Sequence, residues 1–263
     1  MKITNKIIKT KESFDNLIEG LKINEENFKI QYSSSKLVVI NENLKYTYYP
    51  NKLNNIKGLH FIKKVKDYIL KNEIKYTFDK KIVYNSINVT LKNSVNYKKE
   101  LYEVDLRAAY WHLAYKNNFI NEGLYKEGLK VDKKIRLMAL GSLAKNINEF
   151  NYNGGLLINT EKIKSELTEG IFFKVAFDTD VIMRKLISVI PKEAFMFYWV
   201  DAVFFRGKEN LKKITEHLEN IEMFYKIVEI KKIIKKSNKF EVEDFDYKKR
   251  DFNFIKKTSI KTT

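Results

Sequence analysis

An α+β fold, with an antiparallel sheet backed by helices in one compact unit, is what this sequence predicts, and three observations carry the prediction. Short runs rich in β-branched and aromatic residues recur along the chain, set between segments with helical spacing of apolar residues. Only 2 prolines and 9 glycines occur in 263 residues, so no Pro/Gly/Ser linker divides the chain. A hydrophobic share of 44%, with 14% aromatic, suffices for one substantial core.

The elements follow in order. Phe14, Leu17, Ile18 and Leu21 make an amphipathic helical pattern in a charged, peripheral N-terminal stretch. Lys36–Ile40 and Lys45–Tyr49 flank Asn41-Glu42-Asn43-Leu44 as a hairpin, and a helix follows at about 59–71 through Phe61, Val65, Tyr68, Ile69 and Leu70. Short strands are expected at 74–78, 82–91 and 100–105. Ala108 to Tyr115 has the content of a buried helix ending near Asn117-Asn118, and Asp132 is the N-cap candidate of another that runs through Ile135, Leu140 and Ala144. Asn153-Gly154-Gly155 reads as a turn, and a helix at about 172–190 stops at Pro191. Two apolar strands then meet around Asp201, followed by a helix at 208–222, a strand near 225–234 and a basic tail. The divisions expected are an α+β lead-in at 1–100, a core at 101–235 and a basic C-terminal segment at 236–263.

Composition excludes several classes. No run of about 18 uncharged apolar residues exists, and Met1-Lys2-Ile3-Thr4-Asn5-Lys6 precedes no secretory core, so a cytoplasmic chain with no membrane partner is expected. There is no cysteine, and His60, His112 and His217 are scattered, so any metal is held by oxygen, which favours Mg2+ or Mn2+. The net charge of +17 points to a polyanion such as DNA, although heavy use of lysine, asparagine and isoleucine is also what an AT-rich genome produces.

Two stretches carry chemistry. One is Tyr102-Glu103-Val104-Asp105-Leu106-Arg107-Ala108-Ala109-Tyr110-Trp111; the other is Phe195 to Phe205, where Asp201 stands alone in an apolar, aromatic run. A buried unpaired carboxylate costs several kcal/mol, so Asp201 needs a cation to meet. Phosphoryl transfer to a nucleotide terminus uses two divalent ions roughly 3.5–4 Å apart, and aspartates on adjacent strands could bridge such a pair.

These residues resemble the palm of family B DNA polymerases, and palm-fold polymerases generally, over about 100–205 and up to 250. The family's first motif, D-x-x-S-L-Y-P-S, is similar to Asp105-Leu106-Arg107-Ala108-Ala109-Tyr110-Trp111-His112, with Ala108 for Ser and Trp111 for Pro. The second, K-x-x-x-N-S-x-Y-G, keeps only its Lys-to-Gly spacing in Lys133 to Gly141; the third, Y-x-D-T-D, keeps its second aspartate as Asp201, with Phe197 in the aromatic position and Trp199 for the first aspartate. Phe177-Asp178-Thr179-Asp180 copies that string more literally, but helical spacing follows it, which makes Asp178 and Asp180 a solvated or substrate-facing helix end.

The resemblance implies a palm with small or absent fingers and no exonuclease domain, of phage or mobile-element type. It implies a DNA polymerase or related nucleotidyltransferase acting on a DNA primer-template and a dNTP, with a possible protein primer or processivity partner. Asp105 and Asp201 become metal ligands and catalytic residues, and Tyr110 the steric gate beneath the sugar. Arg107 adjoins the site; Lys133, Lys134 and Arg136 could grip the triphosphate or lie on a solvated face; Lys248, Lys249 and Arg250 could meet the primer strand or form a disordered tail. Glu103 is a supporting carboxylate or an exposed strand residue, and His112 is better read as helix packing. A non-catalytic nucleic-acid-binding replication protein with a decayed palm, and an RNA-templated DNA polymerase, remain alternatives.

Overall fold

The structure is a computed structural model that describes residues 4–33, 36–49, 56–79, 87–144, 146–164, 166–237 and 239–253. The first part of the chain forms β1 (Thr4–Ile8), α1 (Lys11–Ile23), the meander β2 (Phe28–Ser33), β3 (Lys36–Asn41) and β4 (Leu44–Tyr48), then α2 (Ile56–Lys71) and β5 (Ile87–Val89). The long strand β6 (Val95–Leu106) leads into α3 (Ala109–Lys116), α4 (Glu122–Lys130) and α5 (Lys133–Gly141), and then the hairpin β7 (Asn146–Asn153) and β8 (Leu156–Lys164). Next come α6 (Glu166–Ser188), the hairpin β9 (Phe195–Trp199) and β10 (Ala202–Arg206), α7 (Lys208–Asn220), β11 (Tyr225–Lys235), β12 (Lys239–Asp244) and β13 (Lys249–Asn253).

These strands make two sheets. The first runs β1-β4-β3-β2-β7-β8, and strand alternation turns Phe28, Ile30, Leu37 and Val39 onto one face, against Phe14, Ile18 and Leu21 of α1. Thr10 caps α1 by accepting from the Ser13 N–H, so this helix packs as part of a core rather than lying at the periphery. Gly154 and Gly155, with φ of 55° and 73°, give the β7–β8 turn its left-handed backbone.

The second sheet runs β13-β12-β11-β6-β10-β9-β5, antiparallel throughout its pairings. On one face Tyr102, Val104, Leu106, Val203 and Phe205 meet the helices through Val65, Trp111, Leu140, Met183 and Ile214. The other face carries Leu101, Phe204, Ile230 and Phe240, and on β6 also Glu103 and Asp105. Phe197 of β9 stacks on Phe240 of β12 with ring centroids 4.5 Å apart, although β10, β6 and β11 lie between them. A flat sheet would separate those strands by about 19 Å, so the sheet is rolled and its second face is concave. Phe252 of β13 closes the roll against Phe204 at 5.2 Å and Trp199 at 5.7 Å.

Several expectations need correction. Residues 74–78 form no strand: Tyr76 sits edge-on to Phe119 and Phe78 packs against Ala176, so their alternation serves the helical core and no ladder partner is present among the described residues. The strand expected at 82–91 is described only as β5, with 80–86 outside the described residues. β6 begins at Val95 and α6 at Glu166, both earlier than their apolar patterns, and the β7–β8 strands flank a turn that was expected without them. The tail is not disordered over 239–253, because β12 and β13 continue the sheet; 254–263 lie outside the described residues. Strand pairing joins the lead-in to the core, where β2 pairs with β7, and the core to the C-terminal segment, where β11 pairs with β12.

Phe177 to Asp180 lies inside α6, not at its end. Asp180 is 3% exposed, accepts from the Tyr198 hydroxyl at 2.6 Å and lies 3.1 Å from Arg184, which fastens α6 to β9. Tyr198→Phe should therefore lower stability by about 1–3 kcal/mol, because a buried carboxylate loses its donor. A urea midpoint equal to wild type would show that the bond does not hold the hairpin.

Candidate active site

Asp105 stands near the end of β6, opposite Ala202 of β10 on one side and Lys226 of β11 on the other. Asp201 occupies the two-residue turn between β9 and β10, and its carbonyl accepts from the Leu106 N–H at 2.8 Å. The two aspartates are thus neighbours in the ladder. Both lie beside abrupt backbone bends. Val200 has φ of 56° and Ala108, where β6 breaks into α3, has φ of 50°; a left-handed β-branched residue is uncommon and costs on the order of 1–3 kcal/mol. The strand end is pinned by the Arg107 N–H donating to the Phe224 carbonyl at 2.8 Å.

The electrostatics follow from this proximity. Burial, then the Asp201 charge, push the Asp105 carboxyl from 3.8 up to about 6, while Lys133 and Arg250 pull against them. Burial also raises Asp201, again with Lys133 opposing. Neither carboxylate joins an ion pair among the described residues. Two partly buried acids sharing little positive charge have the donor chemistry of a hard divalent cation, so the residues fit Mg2+ or Mn2+. No group of three or more His, Cys, Asp or Glu suited to a metal occurs among the described residues, so such an ion would complete its shell with water, backbone or substrate oxygens, which is usual for magnesium.

Glu103 lies on the same face as Asp105 but is committed elsewhere. It is 1% exposed and receives both terminal nitrogens of Arg250, one at 2.7 Å, in a bidentate pair. It is therefore neither an exposed strand residue nor a free third ligand. Arg250, expected at the primer strand, has its guanidinium paired with Glu103, although its side chain stays partly exposed and lines a cleft. Lys248 lies 3.3 Å from Asp246 and Lys249 lies 3.9 Å from Glu243; both are exposed, and surface pairs of this kind hold their partners weakly.

A cleft of about 390 Å3 opens beside Asp201, walled by Tyr110, Lys133, Leu137, Phe172 and Trp199. Lys133 opens α5, where Asp132 accepts from the Lys134 N–H at 2.7 Å, and it stands close enough to act on both aspartates. Lys134 is exposed and is not in the cleft wall. Arg136 is in that wall, yet it donates to the Gly128 and Val131 carbonyls at 3.1 and 2.6 Å, so it also caps α4. Arg107 is exposed at the entrance to α3. His112 is buried, its Nδ1 2.9 Å from the Tyr125 hydroxyl, which fits a packing role. A second cleft of about 470 Å3 includes Lys226, Ile227, Asp244, Lys248 and Arg250. Sequence reasoning missed Lys226 and the Glu103–Arg250 pair, since both depend on strand register; the only signal was their place in or near expected strands.

Two outcomes test this electrostatic picture. The folded pKa of Asp105 lies above its unfolded value, so its contribution to stability is full below about pH 4 and is lost as pH rises through about 6. Asp105→Asn should then stabilise the metal-free chain at pH 7.5 by on the order of 2 kcal/mol and change little at pH 3.5; the same gain at both values would refute the assignment. Arg250→Met should cost roughly 2–4 kcal/mol by stranding the Glu103 charge, whereas Lys248→Ala should leave the denaturation midpoint in place.

No protein-family model, curated protein or solved structure matches this chain.

Proposed function

We propose that this chain is a metal-dependent DNA polymerase-like nucleotidyltransferase, adding deoxynucleotides to the 3′-hydroxyl of a primer-template. The observation that carries the reading is the convergence of Asp105 and Asp201 at adjacent ladder positions, both under-neutralised, with Asp201 lining a cleft that also holds Tyr110. Bound Mg2+ or Mn2+ would supply Lewis-acid activation of the hydroxyl and neutralisation of the departing pyrophosphate.

The chain's own residues would do the rest. Asp105 and Asp201 hold the cations and fix where reaction occurs. Tyr110, with Phe172 and Trp199, walls a space suited to a nucleoside, and Lys133 at its rim is placed to meet the triphosphate. Lys226 and Lys248, in the cleft on the other flank of Asp105, suit the phosphates of the strand being extended. The net charge of +17 supports retention of a polyanion at low salt.

One observation favours a second reading, a DNA-binding protein without catalysis: Glu103 is locked by Arg250, which leaves two carboxylates for metal at this site among the described residues. Primer extension with magnesium or manganese separates the two. Wild type should extend a labelled primer, and Asp201→Asn should reduce synthesis by at least about a thousandfold while DNA affinity changes little. Binding without extension in both ions would leave the second reading standing.

A further inference from the structure

We infer that Phe172 is a positioning residue for sugar selectivity, acting through Tyr110, an inference that rests on the nucleotidyltransferase reading. Tyr110 lies in the first turn of α3 and forms part of the cleft beside Asp201. A phenol ring can reject a 2′-hydroxyl only if it cannot swing aside, because a side chain about 1 Å too loose no longer acts as a sieve. The α3 backbone alone does not supply that restraint: Tyr110 is only partly buried and its helix has eight residues, entered through the left-handed Ala108.

Beside its packing on the Phe78–Ala176 cluster, the ring meets support from α6. Phe172 meets the Tyr110 ring edge-on, with centroids 6.2 Å apart and planes at 67°, a preferred aromatic geometry. Phe172 is itself set edge-on to Phe173 at 5.8 Å, and α6 is anchored further along by the Asp180–Tyr198 hydrogen bond. Ala176, one turn on from Phe172, faces the same cleft with a side chain small enough to leave it open. Thus α6 presents a ring against the gate and open space next to it. The hydrogen bond also joins that helix to the strand that leads to Asp201, so gate and carboxylate share one support.

The experiment measures kcat/KM for single additions of dATP and ATP on the same primer-template, together with equilibrium binding of both nucleotides to the full chain on that DNA. Phe172→Leu, which keeps a large apolar side chain but removes the ring, should lower the deoxy-to-ribo ratio roughly 2- to 10-fold, as should Phe172→Ala. Phe172→Tyr, which keeps the ring edge, should retain the wild-type ratio. Tyr110→Ala should lower the ratio at least as far, and adding Phe172→Leu to it should lower it no further, since the two would act as one unit. Wild-type selectivity in Phe172→Leu, or full additivity in the double variant, would overturn the inference and leave the enzyme reading intact. A wild-type chain that neither extends primers nor binds nucleotides would remove both.

Discussion

Two like charges forced together without enough positive charge are the constraint around which this molecule is arranged. Asp105 and Asp201 meet because β6 lies centrally in its sheet, with β10 on one side and β11 on the other. Each stands where the backbone departs from regular strand, through Ala108 after one and Val200 before the other. A strand interior would have turned one of them to the wrong face. The strain at Val200 and the raised carboxyl groups are both unfavourable alone, and a cation would offset the second directly. Unfavourable features concentrated at one place are more readily explained by a ligand than by fold stability, since the core would be better served without either.

The rolled sheet solves a separate problem. Three acids project from neighbouring positions, and three free carboxylates would repel strongly. Arg250 reaches Glu103 only because β12 and β13 curl back over the concave face, and Phe252, next but one to Arg250 on the same strand, fills the roll against Phe204 and Trp199. Apolar closure and charge neutralisation therefore depend on one strand. The final hairpin therefore has a structural part, and its basic composition divides in two: a guanidinium paired with Glu103, and lysines left at the surface.

Much of this was legible in the sequence. The Asp201 hairpin, the helix after Asp105, the Asp132 cap and the helical character of Phe177 to Asp180 followed from local pattern, because each depends on residues a few positions apart. What escaped depended on partners distant in sequence. Ile74, Tyr76 and Phe78 alternate as a strand does, yet alternation cannot say whether a second strand lies alongside. Leu156, Leu157 and Ile158 are exposed, so β8 offered no core-facing pattern to detect. The fate of Glu103 and Arg250 was hidden for the same reason: residues 147 positions apart meet only once β11, β12 and β13 take their register. The resemblance to a family B palm rested on aspartate spacing, and spacing alone could not tell that one basic residue of the tail would be used internally.

The two clefts flanking the carboxylates differ in their lining, and under the proposed nucleotidyltransferase reading they would take unequal tasks. The one beside Asp201 is walled by Tyr110, Trp111, Leu137, Phe172 and Trp199, with Lys133 at its rim. An apolar wall desolvates whatever enters and strengthens the few charges present, which suits a small molecule that must be held in one orientation. The cleft beside Lys226 mixes Glu229, Asp244 and Asp246 with Lys248 and Arg250. Its lining mixes both signs of charge and is open to solvent, which under the same reading would suit a solvated, repeating backbone better than one tightly held unit. If the chain is the nucleotidyltransferase proposed above, this asymmetry would serve it: a strand held as tightly as the nucleotide could not advance, and a nucleotide held as loosely as the strand could not be chosen.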